Sequence, residues 1–241
     1  MLAKHSGASA VSNPRVKEVW HQLASVTDPE LDEPVPELGF IQSVEVDSEN
    51  HVRITFKLPT YWCAANFAFL MAQDIRDRIE ELGWVRRATV ELVDHFCESE
   101  INRGIAKRDS FKAAFPDEAT DDLDDLRRLF QVKAFARRQA YLLRYLMMNE
   151  FSAGELVRFT VTELAALNIA DETGTKMRAR YLAARQKIAA RLPSDLAFVR
   201  PNGQQLTPET LIDHLRELRG TSANIEFNIA MCSSLLRARL R

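Results

Sequence analysis

The sequence predicts an α/β (α+β) chain: a small α-β-β-α-β N-terminal domain with a three-stranded mixed sheet, followed by a mainly helical C-terminal extension. Three observations predict it. Apolar residues alternate with polar ones through 44–46 and 52–58, the spacing of a half-buried strand. From Trp62 the apolar period lengthens to three or four residues, and at 85–93 it returns to two. Beyond Asn102 the alternation disappears, and 8 glycines in 241 residues favour long helices with few tight turns.

Pro14 opens the first helix, with Val16, Val19, Trp20 and Leu23 on one face, ending near Thr27. The segment from Asp28 to Gly39 is a loop: three prolines forbid regular pairing, and five carboxylates fall within ten positions. Val44 and Val46 mark the first strand and Asp47 to Asn50 a hairpin turn. The second strand carries Val52, Ile54, Phe56 and Leu58 on one face. A helix follows from Trp62, with Phe67, Met71, Ile75, Ile79 and Leu82 inward and a stop at Gly83. Ala88, Val90 and Leu92 alternate in the third strand.

In the extension, Thr120 is the expected N-cap of a helix bearing Leu126, Leu129, Val132, Ala136, Ala140, Leu143 and Met147. Residues 140–148 are apolar on nearly every side, which predicts an enclosed end. Three further helices are expected at about 171–191, 208–219 and 222–238. Pro193 breaks the first, Thr207-Pro208-Glu209 starts the second, and Gly220 ends it. The domains read as a disordered lead-in at 1–13, the α/β domain at 14–100, and a helical extension at 101–241 suited to partner docking.

An apolar content of 46% suits a packed core, and a formal net charge of -2 supplies no general field for nucleic acid or acidic lipid. No membrane association is expected either, because residues 1–13 hold no apolar run of signal or spanning length. Three scattered cysteines, Cys63, Cys97 and Cys232, read as reduced thiols and place the protein in the cytoplasm. Glycine-rich phosphate loops, G-x-S-x-G, H-E-x-x-H and C-x-x-C motifs are all absent from the sequence.

The chemistry centres on Cys63, where the second strand gives way to a helix. A thiol there feels the positive end of the helix dipole, which favours the thiolate that binds metals or attacks electrophiles. A strand-helix-strand unit runs its two strands parallel, so both carboxyl ends open on one rim. Cys63 and Asp94-His95-Phe96-Cys97-Glu98 therefore share that rim with the acidic loop, the edge where open α/β sheets bind ligands. Candidate metal ligands are Cys63, Cys97, His95, Asp28 and Glu30, with a second copy of Cys63 across a dimer as another source. Packing roles remain open for Cys63, His95 and Cys97. Cys232 reads as a core residue of an apolar helix, and Arg237, Arg239 and Arg241 as charges matched to a helix C-terminus. Tyr141, Tyr145, Met147 and Met148 read as one face of a buried helix.

Asp28-Pro29-Glu30-Leu31, then Leu38-Gly39, then the alternating strand into Leu58-Pro59-Thr60-Tyr61-Trp62-Cys63 resemble the metal-sulfur (iron-sulfur) cluster assembly family of SufT and PaaD type. The resemblance covers about residues 14 to 95. It implies a small α/β domain that matures iron-sulfur or other iron proteins, frequent self-association as a homodimer, and an exposed cysteine matched by Cys63. Asp28 and Glu30 match its acidic motif. Members often carry Cys-Pro at the site, whereas Ala64 follows here. PaaD-type relatives accompany multicomponent oxygenases, which makes such an enzyme a candidate client metalloprotein.

The leading expectation is thus a non-enzymatic assembly or delivery factor, with iron or an iron-sulfur cluster bound transiently at Cys63. The alternatives are an interaction scaffold without metal, and a thiol enzyme with Cys63 as nucleophile and His95 as base.

Overall fold

The computed structural model describes residues 13–117, 123–189 and 195–239. The expected N-cap Thr120, the helix-breaking Pro193 and nearly all of the lead-in lie outside them. The order of elements is α1 (Pro14–Leu23), β1 (Ile41–Val46), β2 (His51–Phe56), α2 (Ala65–Glu80), β3 (Arg87–Leu92), α3 (Glu98–Lys107) and α4 (Phe111–Ala114). Then come α5 (Asp124–Met148), α6 (Ala153–Leu156), α7 (Val161–Ala166), α8 (Glu172–Lys187) and α9 (Pro208–Arg239). The fold class is the one expected: an α-β-β-α-β arrangement and then helices. Two compact units result, one of the described residues up to Asp125 together with those from Asn228 on, the other Leu126–Phe227.

In the first unit the sheet order is β1-β2-β3. β1 pairs antiparallel with β2, with a register irregularity between Ile41 and Ser43. The hairpin is closed by Asp47, whose Oδ1 accepts from the Glu49 and His51 amides at 2.9 and 2.8 Å. β2 and β3 run parallel, joined through α2, with Val52 opposite Ala88, Ile54 opposite Val90 and Phe56 opposite Leu92. These inward residues are buried together with Phe69, Met71, Ile75 and Ile79 of α2, which is where the core of this unit sits. α1 is capped by Asn13, whose Oδ1 accepts from the Arg15 amide at 2.9 Å, with Pro14 opening the helix. Val16, Val19 and Leu23 are buried, but Trp20, expected on the same face, is exposed.

α3 was not expected as an element, and it belongs to the sheet unit. Asn102 on α3 ties it to the end of β3: its Oδ1 accepts from the Leu92 amide at 2.8 Å and its Nδ2 donates to the Leu92 carbonyl at 2.9 Å. Gly104 permits close packing, since a Cβ there would lie 2.8 Å from the Ala114 Cβ and 3.0 Å from the Phe69 ring.

The second unit is helical around Phe135, Leu142, Leu143, Leu146, Tyr181, Phe198 and Leu211. α6 and α7 are short, and each begins with a capping box, Ser152 with Glu155 and Thr160 with Glu163. Gln139, wholly buried, donates to Tyr181 Oη at 3.1 Å and to the Val199 carbonyl at 2.8 Å, and its Oε1 lies 2.7 Å from His214 Nε2.

Two further expectations are corrected. Met148 stands 86% exposed at the end of α5, so the apolar stretch at 140–148 is not enclosed throughout. α9 runs unbroken through Gly220, so the two terminal helices are one. A lone glycine inside a helix costs only about 1 kcal/mol, which by itself does not end a helix.

Candidate functional site

The carboxyl end of β2 leads through Leu58 and Pro59 into a turn at Tyr61 and Trp62, and α2 starts two residues after Cys63. Ala64 is the N-cap and offers no side-chain hydrogen bond to the helix. Cys63 is half-buried, and its Sγ lies 3.0 Å from Thr60 Oγ1, a hydroxyl able to donate to a thiolate. The first turn of α2, the positive end of the helix dipole, adjoins the thiol in the chain.

The segment after β3 is tied to this turn by two bonds. The Phe96 amide donates to the Tyr61 carbonyl at 3.1 Å. The Cys97 amide donates to His95 Nδ1 at 3.1 Å, so the ring proton is on Nε2, which donates to the Cys63 carbonyl at 2.7 Å. Both ring nitrogens of His95 are therefore engaged, and burial pushes the imidazole below its ordinary pKa. The ring thus holds the Cys63 backbone, and each of its nitrogens has a backbone partner. Cys97 is buried at the N-cap of α3.

Asp28 is buried. Its Oδ1 accepts from the Glu30 and Leu31 amides at 2.9 and 2.7 Å, which folds the acidic loop back on itself. Burial outweighs those bonds and the carboxyl is pushed up to about 6. Glu30 beside it is exposed. At the far side of the turn Lys57 pairs with Asp94 at 2.7 Å.

Sequence reading assigned two residues differently. Arg239 does more than match a helix dipole: its Nη1 donates to the Leu58 carbonyl at 2.8 Å, its Nη2 to the Asp94 carbonyl at 2.8 Å, and it pairs with the Asp94 carboxylate. Lys57 and Arg239 hold Asp94 below the usual carboxylate range. Cys232, read as core, is only half-buried. Burial, with the charges of Asp28, Cys63 and Glu30 in turn, pushes its thiol up to about 11.

Aromatic residues frame the thiol. Tyr61 and Phe96 are about half exposed, with ring centroids 6.4 Å apart, and Trp62 is 74% exposed. Three aromatic side chains are thus exposed in the two segments beside this cysteine. The signal was in the sequence, in the Tyr-Trp-Cys and His-Phe-Cys runs. Among the described residues no three His, Cys, Asp or Glu side chains stand together as a group able to hold a metal.

Residues 17–92 match the family described as iron-sulfur cluster assembly protein. The matched part runs from α1 to the end of β3 and contains Asp28, Glu30 and Cys63; His95, Cys97, Cys232 and Arg239 lie outside it. The chain is also similar to an uncharacterized protein of Methanocaldococcus jannaschii, 26% identical over 93 residues, which are 39% of this chain and 96% of that protein. A general role in iron-sulfur assembly is what the iron-sulfur assembly match supports for this part of the chain. No helix among the described residues is long and apolar enough to cross a membrane.

Proposed function

We propose that this protein is an assembly or delivery factor that carries iron or an iron-sulfur cluster to a client metalloprotein and is not itself an enzyme. The carrying observation is Cys63, a partly accessible thiol at the start of α2 inside the segment that matches the iron-sulfur assembly family. The cargo binds at Cys63, and Asp28 and Glu30, which match the acidic motif of the resemblance, lie in the same matched segment. Tyr61, Trp62 and Phe96 form the surface that meets the client, and the helical unit supplies further docking area. An incomplete ligand set suits a carrier, because open coordination positions let the client's own ligands take the metal over.

The finer reading follows the resemblance to SufT-type and PaaD-type proteins: a reducing, cytoplasmic setting, self-association as a homodimer, and a multicomponent oxygenase as the client. Anaerobic reconstitution with iron and sulfide tests the central claim. Wild type is expected to take up iron and Cys63→Ser to lose most of it. Equal uptake by the two would remove Cys63 from the role.

The thiol-enzyme alternative fits the geometry less well. His95 has both nitrogens committed to backbone partners, which leaves it no lone pair for the Cys63 thiol.

A further inference from the structure

The last turn of α9 is fastened to the sheet unit by two side chains. Among the described side chains from Asn228 to Arg239 only Leu236 is buried, and its Cδ2 is the atom nearest a Cβ built on Gly39, at 3.5 Å. Three residues on, Arg239 lays one guanidinium across two segments: Nη1 donates to the Leu58 carbonyl and Nη2 to the Asp94 carbonyl, each at 2.8 Å, and the Asp94 carboxylate pairs with it. Leu58 opens the turn that ends in Cys63. Asp94 precedes His95 and Phe96, whose Nε2 and amide donate to the Cys63 and Tyr61 carbonyls. The guanidinium therefore pins the thiol-bearing turn at its start directly and at its end through the neighbouring segment. An attachment made by so few side chains opens more readily than the sheet beneath it.

We infer that the last turn of α9 is a strap across this rim: closed, it holds Cys63 half-buried, and its opening frees the turn so that cargo reaches the thiol. The inference rests on the carrier reading above and adds a gate to that site. Lys57 holds the Asp94 carboxylate at 2.7 Å independently of Arg239, so the anion stays in place when the strap lifts and is ready to take the guanidinium back. The ion pair lies at the surface, where salt weakens it. Asp94 and Arg239 both lie outside residues 17–92, the part that matches the assembly family, so the gate is built from the rest of this chain.

The test is alkylation of the full, reduced chain by iodoacetamide at fixed pH, resolved cysteine by cysteine with mass spectrometry. The reagent is neutral, and its reaction with a gated thiol follows the open population. Arg239→Ala and Leu236→Ala should each quicken alkylation of Cys63 by about tenfold, the scale on which one lost charged hydrogen bond or one lost apolar anchor shifts an opening equilibrium. Arg239→Lys keeps a charge for Asp94 but not the fork that spans two carbonyls, so its rate should fall between those of wild type and Arg239→Ala. Raising the salt from about 0.05 to about 0.5 M should quicken the reaction roughly threefold in wild type and in Leu236→Ala, and leave Arg239→Ala unchanged, because only the first two keep the ion pair. Cys97, buried at the N-cap of α3, is the internal reference. If Cys97 quickens in proportion, the sheet unit has loosened as a whole and there is no strap. Unchanged rates at Cys63 in both variants overturn it as well, and so does a slower rate in Arg239→Ala, which would mark Arg239 as a charge serving the thiolate. Iron uptake separates the two readings. Uptake lost in Cys63→Ser with alkylation unchanged in the α9 variants removes the strap alone; equal uptake in Cys63→Ser with alkylation quickened removes the carrier reading and leaves the gate on the thiol.

Discussion

His95 Nε2 donates a 2.7 Å hydrogen bond to the carbonyl oxygen of Cys63 while its Nδ1 accepts from the Cys97 amide. One imidazole thereby joins the segment after β3 to the turn before α2. The folded state holds this ring neutral, with its pKa lowered by burial. A histidine lowered in this way contributes stability above its unfolded value, near 6.5, and that contribution is lost as pH falls through the lower folded value. The sheet unit should therefore weaken on acidification below about pH 6. His95→Ala should cost about 1–3 kcal/mol at neutral pH, because the Cys97 amide and Cys63 carbonyl lose their partner. Denaturant unfolding against pH checks both, and alkylation of Cys63 should quicken in the variant.

Asp28 is raised to about 6 by burial, so its sign is opposite. Its stabilising contribution is complete below its unfolded value, near 3.8, and is lost as pH rises through the folded one. Asp28→Asn keeps an oxygen to accept from the Glu30 and Leu31 amides and removes the buried charge. At pH 7.5 the metal-free variant should be more stable than wild type, by on the order of 1–3 kcal/mol. The stability difference between the two should shrink as pH falls from 6 to 4. Cation binding should weaken in the same variant, so stability and function would move in opposite directions.

Trp62→Ala should leave stability within about 0.5 kcal/mol of wild type, because the side chain is largely in water. If the aromatic frame meets the client, the same change should lower affinity for it by at least about tenfold, as for an interface anchor. Calorimetric titration against a co-purified client measures this. Unchanged affinity would take Trp62 out of the docking surface.

Arg239→Ala should destabilise the sheet unit by about 1–2 kcal/mol, since it removes donors from the Leu58 and Asp94 carbonyls and a charge from the Asp94 carboxylate. Hydrogen exchange at the end of α9 reads it.

In the helical unit, Gln139→Ala would leave His214 Nε2 and the Val199 carbonyl without this partner and remove a donor from Tyr181 Oη, which keeps its bond to the Ala197 carbonyl. A loss of about 2–4 kcal/mol is expected from breaking a buried network of this size. Thermal unfolding with a probe in this unit, such as Tyr181 fluorescence, reads it.

Much of the sheet was legible because its signals are local. The alternation at Val52, Ile54 and Phe56 against the helical period at Phe69, Ile75 and Ile79 can be read from neighbours along the chain, as can the placing of Cys63 between them. α3 escaped because its anchors, Asn102 on Leu92 and Gly104 under Phe69, act across the fold. Gly220 misled for a related reason: local propensity marks where a helix is weak, and its surroundings decide whether it ends.

What the sequence determined by itself was the order of elements, the parallel strands around α2 and the thiol at their shared rim, because periodicity and capping are short-range. The tertiary structure alone decided what faces that thiol. His95 became a backbone clasp, and Arg239 came to the rim from the last turn of α9, 181 residues after Leu58. No period or motif encodes a contact at that separation; it depends on how apolar faces such as Leu236 find their sites when the chain folds.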